Sequence, residues 1–500
     1  MPTLRHASRW LFSEFGLKTL ASSGRDTYII LLLRFLRMFA YGSAALILAL
    51  YFAALGHSDE KIGLFMTLTL LGDVVISLFL TLVADKLGRR TTLLLGSCLM
   101  AGAGAVFALS GNYWVLLIAA ILGVISPSGN EIGPFRAIEE STLAHLVEPE
   151  GRPDVFAWYV VLATLGSSGG LVVCGWVVHR LHARDDWTEV DAYRAVFWMY
   201  AVLGAVNACL SLFLSRKCEV AAQRIPPADA TSAEDDESRP LLQDGNGSIA
   251  DGNADDLNGK AKDHKGFLSH ISPETRSILL RLCALFFMDS LASGMVPYSL
   301  INYYMDRKFH MPKNKLGAIM SAAIFVSSVS NIFAASISKR IGLIKTMVFT
   351  HLPSAIFLAL IPAPRSLALT ICLLVGRASL NSMDQAPRSA FLSAVVLPNE
   401  RTAVMGIVNV VKTLSQSGGP LITGILAGRS RFWVAFVAAG ALKASYDIGL
   451  LTFFVNTKLR HQGRRDDDPD AGSEPDGDPG ISARNDDEED VVTSDNVRAS

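Results

Sequence analysis

The sequence predicts an all-α integral membrane protein with twelve transmembrane helices in two pseudo-symmetric six-helix bundles. Three observations carry this. Half of the 500 residues are hydrophobic and only 18% are charged, with a mean hydropathy of +0.35. The apolar residues fall in blocks of about twenty, the length of a helix that crosses a bilayer. The second half of the chain also repeats landmarks of the first at a spacing of about 250 residues, as two homologous bundles would.

The elements follow in order. Residues 1–27 carry charges throughout and lack the apolar core of a signal peptide, so they are expected to be a cytosolic N-terminus, with the first span as its own targeting signal. The first bundle, 28–215, holds spans at 30–55, 63–84, 92–109, 113–133, 155–179 and 194–215. Short polar stretches part them, such as HSDEK (57–61) and DKLGRR (85–90). Residues 216–275 form a polar, acidic loop (EDDESRP, DGNGSIADGNADD), disordered by composition because it has little apolar surface to bury. The second bundle, 276–457, holds spans at 277–300, 316–337, 344–361, 366–385, 402–427 and 432–455. The acidic tail, 458–500, resembles the middle loop.

An even number of spans puts both termini and the middle loop on one side. Basic residues choose that side. Lys86, Arg89, Arg90, Lys339, Arg340, Lys345, Arg388, Arg401, Lys458 and Arg460 share it with the termini. Arg307, Lys308, Lys313 and Lys315 lie opposite, and the balance places the termini in the cytosol. The membrane is then the plasma membrane or a vacuolar or endosomal one. In the repeat, Gly42, Leu48 and Tyr51 lie over Gly294, Leu300 and Tyr303, Lys86 over Lys339, and Pro134 and Arg136 over Pro387 and Arg388. Gly169-Gly170 lies over Gly418-Gly419.

The two-by-six repeat, the long middle loop and the DKLGRR knot between spans 2 and 3 resemble the major facilitator superfamily of secondary transporters. The resemblance covers about residues 28–457. The family pattern G-x-L-x-D-R-x-G-R-R reads here Thr81-Leu82-Val83-Ala84-Asp85-Lys86-Leu87-Gly88-Arg89-Arg90, so Thr81 and Val83 depart from it. The resemblance implies that Asp85 and Arg89 join a charge relay that latches one conformation. The bland alternative is a positive-inside anchor. Gly88 permits a tight reversal, whereas Arg89 and Arg90 oppose the dipole of the helix they begin and need a partner. The second-half copy, Ser338-Lys339-Arg340-Ile341-Gly342, lacks the acid. Leu165-Gly166-Ser167-Ser168-Gly169-Gly170 has the glycines, without the proline, of a stretch associated with export in some members.

Ionisable residues inside apolar spans are costly, about 2.5–3.5 kcal/mol on insertion scales, and so are functional candidates. Arg37 and Asp289 occupy corresponding positions and are read as a pair across a central cavity, or Arg37 as a snorkelling residue. Asp73, midway along span 2, has no base within a turn and suits a proton carrier or a structural hydrogen bond. Lys412, deep in its span, points to an anionic substrate or an unseen acid partner, and Arg37, Arg377 and Lys412 together as cavity cations favour an anionic or zwitterionic substrate. Lys443 and Asp447, four apart, are expected to neutralise each other. Glu131 with Arg136, and Asp384 with Arg388, are read as a gate of charge pairs or as solvated helix ends. Glu237, Leu241 and Leu242 fit an acidic dileucine sorting signal for a trafficking adaptor.

The expected function is transport of a small solute by alternating access, proton-coupled, with export favoured. Nutrient or ion uptake and a non-transporting membrane sensor are the alternatives. No P-loop, HExxH, GxSxG or intramembrane histidine cluster is present, so an enzyme or primary pump is not expected. The six cysteines form no CxxC, and no metal or cofactor is expected. The net charge of −1 gives no field for a nucleic-acid partner.

Overall fold

The computed structural model describes residues 17–123, 125, 127, 134–219, 273–384, 387–388, 391–392, 395 and 401–454, all within one compact unit. Among these there is no strand. The first half contains α1 (Leu17–Ser22), α2 (Arg25–Ala54), α3 (Asp59–Leu87), α4 (Arg89–Leu109), α5 (Tyr113–Leu122), α6 (Pro134–Leu146), α7 (Arg152–His182) and α8 (Glu189–Leu212). The second contains α9 (Pro273–Met295), α10 (Tyr298–Phe309), α11 (Lys313–Ile341), α12 (Leu343–Leu360), α13 (Leu367–Asn381), α14 (Arg401–Gly428) and α15 (Phe432–Phe454).

Each predicted span meets at least one helix. Among the described residues eight helices are long and apolar enough to cross a membrane: α2, α3, α4, α7, α8, α9, α12 and α15. α5 and α13 are shorter apolar helices. α11 and α14 fall outside both sets; from them Ser327, Ser328 and Gln416 line the cavity between the bundles. Leu280 and Leu109, 74% and 72% exposed, belong to the apolar outer surface that a bilayer would cover.

Two features differ from the predicted elements. The span expected at 277–300 is two helices, broken at Val296-Pro297. Proline lacks the N–H that would continue the ladder and turns its predecessor away from helical geometry. The stretch after span 4, expected as a connector, holds helix α6 with Arg136, Glu139 and Glu140.

The bundles repeat the same packing. α2 lies against α7 and α4 against α8; α9 lies against α14 and α12 against α15. The repeated glycine pairs explain the close approach. A Cβ on Gly170 would stand 2.0 Å from the Phe39 carbonyl oxygen, and one on Gly419 would stand 2.2 Å from the Gly294 carbonyl carbon. Between bundles, α2 meets α10, α3 meets α14 and α7 meets α11. The tight points are near the end where α3 begins at Asp59. There a Cβ on Gly63 would lie 2.4 Å from the Pro420 carbonyl oxygen, and one on Gly317 would lie 2.4 Å from that of Leu171.

Candidate functional site

A cavity of about 430 Å³ lies between the bundles. Arg34, Met38, Arg136 and Tyr159 line it from the first half, and Ser293, Tyr298, Ile301, Met320 and Arg377 from the second. Its wall contains three arginines and no carboxylate among the described residues. Apolar side chains fill the intervals, which suits an organic solute carrying negative charge.

The cavity is shut towards the Asp59 end. Asp59 accepts hydrogen bonds from the Tyr303 hydroxyl and the Arg307 guanidinium, both at 2.7 Å. Lys313 stands 3.5 Å from Glu189. Nearer mid-membrane, Asn302 donates to the Ala45 carbonyl at 2.9 Å and Ser328 to Thr164 at 3.0 Å. All these contacts join the two halves.

Each bundle also contains a buried ionic cluster. In the first, Arg37 on α2 forms an ion pair with Glu139 on α6, and Glu139 accepts from the Tyr159 hydroxyl at 2.8 Å. The Arg34 guanidinium stacks over Tyr159, 4.7 Å from its centroid. In the second, Asp289 on α9 accepts from Arg388 at 2.8 Å and from Lys443 at 2.7 Å. Arg388 also bonds Asp384. Lys443 reaches Ser293 Oγ at 2.9 Å, and His351 on α12 bonds Asp447 through Nδ1 at 2.9 Å.

Several expected pairings are therefore different. Arg37 and Asp289 do not pair with each other, because each finds its counter-charge within its own bundle. Lys443 and Asp447 do not pair either: one goes to Asp289 and the other to His351. Asp384 and Arg388 bond one another one turn apart. Arg136 lines the cavity and pairs with Glu140 at 2.7 Å. Arg377 is buried in the cavity wall, and its Nε has no hydrogen-bond partner among the described residues. Lys412 does not line the cavity; its ammonium lies 5.5 Å over the Phe286 ring. Asp73 is fully buried, and neither carboxyl oxygen has a hydrogen-bond partner among the described residues. It lies within electrostatic reach of Tyr41 and Tyr200.

At the DKLGRR knot, Gly88 turns with φ at +83°. The acid that serves the next helix is Glu219. Its carboxylate accepts the main-chain N–H of Arg89 at 2.8 Å and of Arg90 at 3.1 Å. Those are two of the unpaired donors at the start of α4, where negative charge also suits the helix dipole. The side chain of Asp85, and all of Glu131, Glu237, Leu241 and Leu242, lie outside the described residues. The sequence reading missed Glu219 and His351, and it placed Glu139 with the helix-end charges near Arg136 rather than with Arg37. His351 could have been found by the same rule as Asp73, since it is an ionisable group inside the 344–361 span.

Two helical bundles around a polar cavity, closed at one end, define a membrane transporter. The Major Facilitator Superfamily pattern matches residues 30–264 and 282–479, and the chain belongs to that family. It is 34% identical over 447 residues to a Saccharomyces cerevisiae protein described as uncharacterized membrane protein YJR124C, covering 89% of this chain and 97% of that one. Among solved structures, the nucleoside transporter NupG matches 86% of the chain and 99% of its own, at a TM-score of 0.62 and 13% identity. The E. coli xylose transporter XylE, in an inward-open conformation, matches 88% and 99% at a TM-score of 0.61 and 12% identity.

Proposed function

We propose that the protein carries a small anionic or zwitterionic organic solute by alternating access, coupled to protons, with the termini in the cytosol. The observation that supports the substrate class most is the cavity wall, with Arg34, Arg136 and Arg377 and no carboxylate among its described residues. A solute anion would provide Arg377 with a partner. Asp73 is the carboxylate candidate for coupling, since a proton would remove the cost of an uncompensated buried charge. Asp289 is already compensated by two cations.

Gly166 and Gly170, whose family association favoured export, pack α7 against α2: a Cβ on Gly166 would lie 2.4 Å from the Phe35 carbonyl oxygen. That packing accounts for them without a direction of transport. The Glu237–Leu242 stretch remains a proposed adaptor site, tested by relocation of a tagged protein when both leucines become alanine.

The functional test is flux in proteoliposomes under an imposed pH gradient, with matched sets of organic anions, zwitterions, neutral solutes and cations. Anions or zwitterions should accumulate. Arg377→Gln should weaken apparent affinity by about tenfold or more, the loss of one charge-assisted contact. Asp73→Asn should uncouple flux from the gradient. Preference for cations, or no gradient-driven flux of any set, argues for a different reading, the latter for a sensor.

A further inference from the structure

The second bundle contains a charge cluster larger than its packing needs. Asp289, Asp384 and Asp447 are bonded into one network with Arg388 and Lys443. Three carboxylates face two cations, which leaves one negative charge. The uncommitted member is His351, placed between Asp447 and Lys443 and 1% exposed. Histidine is the side chain that changes charge between about pH 5 and 8. A single proton there makes the bonded network neutral.

The geometry says where that proton goes. Nδ1 faces both carboxylate oxygens of Asp447, at 2.9 and 3.0 Å, so it carries the hydrogen of the neutral ring. Nε2 then accepts from the Lys443 ammonium at 3.4 Å. A proton added at Nε2 turns that acceptor into a cationic donor facing another cation. Lys443 must withdraw, and Asp289 Oδ1, 3.7 Å from Nε2, is the acceptor left for the new N–H. The other partner of Lys443 is Ser293, which is part of the cavity wall.

We propose that His351 is a proton site whose occupancy moves Lys443 from Asp289 towards Ser293 and the cavity, so that proton and anionic solute bind together and travel in the same direction. The second clause rests on the anionic reading above; the first stands without it. Protonation places an ammonium nearer the solute, and by linkage a bound anion strengthens proton binding equally. The other groups facing this network are Tyr446, whose ring meets His351 edge-on at 5.7 Å, Lys412 on α14 beyond Phe286, and Arg377 on α13, whose carbonyl accepts from Ser354. Among the described residues, neither Lys412 nor Arg377 forms an ion pair with the network.

The test needs no substrate. In nanodiscs holding the full chain, deuterium exchange at the histidine C2 position, read by mass spectrometry, titrates His351 individually. Asp447→Asn should lower the midpoint by about one pH unit or more, a tenfold loss of proton affinity. Ser293→Asp, a stand-in for a solute anion in the wall, should raise it by a similar amount, and Lys443→Gln should abolish that rise. A His351 that does not titrate, or a midpoint that Ser293→Asp leaves unmoved, overturns the proposal. If Lys443→Gln does not fold, the other two variants still decide. In the flux assay, His351→Gln should lose gradient-driven accumulation by tenfold or more; solute accumulating against the proton flow refutes the shared direction. Absence of flux with an intact titration pattern would sink the transport reading alone.

Discussion

Arg37 is a buried cation on the first spanning helix, and its charge is balanced by Glu139, which is 0% exposed. Removing one member of such a pair leaves the other uncompensated in a medium that solvates it poorly. Glu139→Ala should therefore cost about 3–5 kcal/mol, read as loss of unfolding free energy in detergent. Arg37→Met combined with Glu139→Leu should cost clearly less than the two single changes added together. A Glu139→Ala protein as stable as wild type would show that the pair does not hold the first bundle. The candidates Arg37, Asp73, Asp289 and Arg377 were visible in the sequence because a charge within an apolar run stands out in one dimension. Their partners were not. Glu139 is about a hundred residues from Arg37 and sits in a helix that reads as a connector, and Lys443 lies on a helix remote in sequence from Asp289. Spacing within a helix proposes neighbours one turn away, whereas a bundle supplies them from other helices.

Helix boundaries and turns were read with mixed success for equally physical reasons. Lengths of apolar runs located the spans, because bilayer thickness is written directly in sequence. The break at Val296-Pro297 was missed because hydropathy runs smoothly through it while the backbone does not. The knot at Gly88 was legible as a turn, and its repeat is geometrical too: Gly88 has φ +83° and Gly342 has φ +88°. Both positions penalise a Cβ, by about 1–3 kcal/mol for a positive-φ, extended-ψ backbone that is essentially closed to other residues. Their surroundings differ. A Cβ at Gly88 would stand 2.8 Å from a carboxylate oxygen of Glu219, whereas nothing lies within 4 Å at Gly342. Gly88→Ala should thus destabilise the protein more than Gly342→Ala, because it also pushes Glu219 from the N–H groups of Arg89 and Arg90. Thermal unfolding of the two variants side by side checks this, and equal losses would remove Glu219 from the account.

At the scale of the whole molecule, each bundle buries its own ionic cluster and can move as a unit without parting it, while the Asp59–Arg307 and Lys313–Glu189 pairs join one bundle to the other. The contacts that must part lie between them. A Cβ on Gly175 would lie 2.4 Å from the Lys313 carbonyl oxygen, so side chains larger than hydrogen keep α7 and α11 apart. Cys174 is fully buried beside this seam. Opening of the Asp59 end is expected to uncover it to a thiol-reactive reagent, read on its own peptide by mass spectrometry because Cys98, Cys209 and Cys372 are exposed. Gly317→Val should wedge that end, because even its first carbon meets the Leu171 carbonyl oxygen. Alkylation of Cys174 by N-ethylmaleimide should then accelerate by about tenfold or more, the signature of a population shift of at least 1.4 kcal/mol. Gly102→Val is the control: nothing lies within 4 Å of a Cβ there, and Cys174 should react as in wild type. The same wedge should stop transport while leaving each bundle folded, because alternating access requires both ends to close in turn. If a folded Gly317→Val protein protects Cys174 as wild type does, the α7–α11 seam is not the gate of the Asp59 end, and closure there rests on the Asp59–Tyr303–Arg307 contact instead.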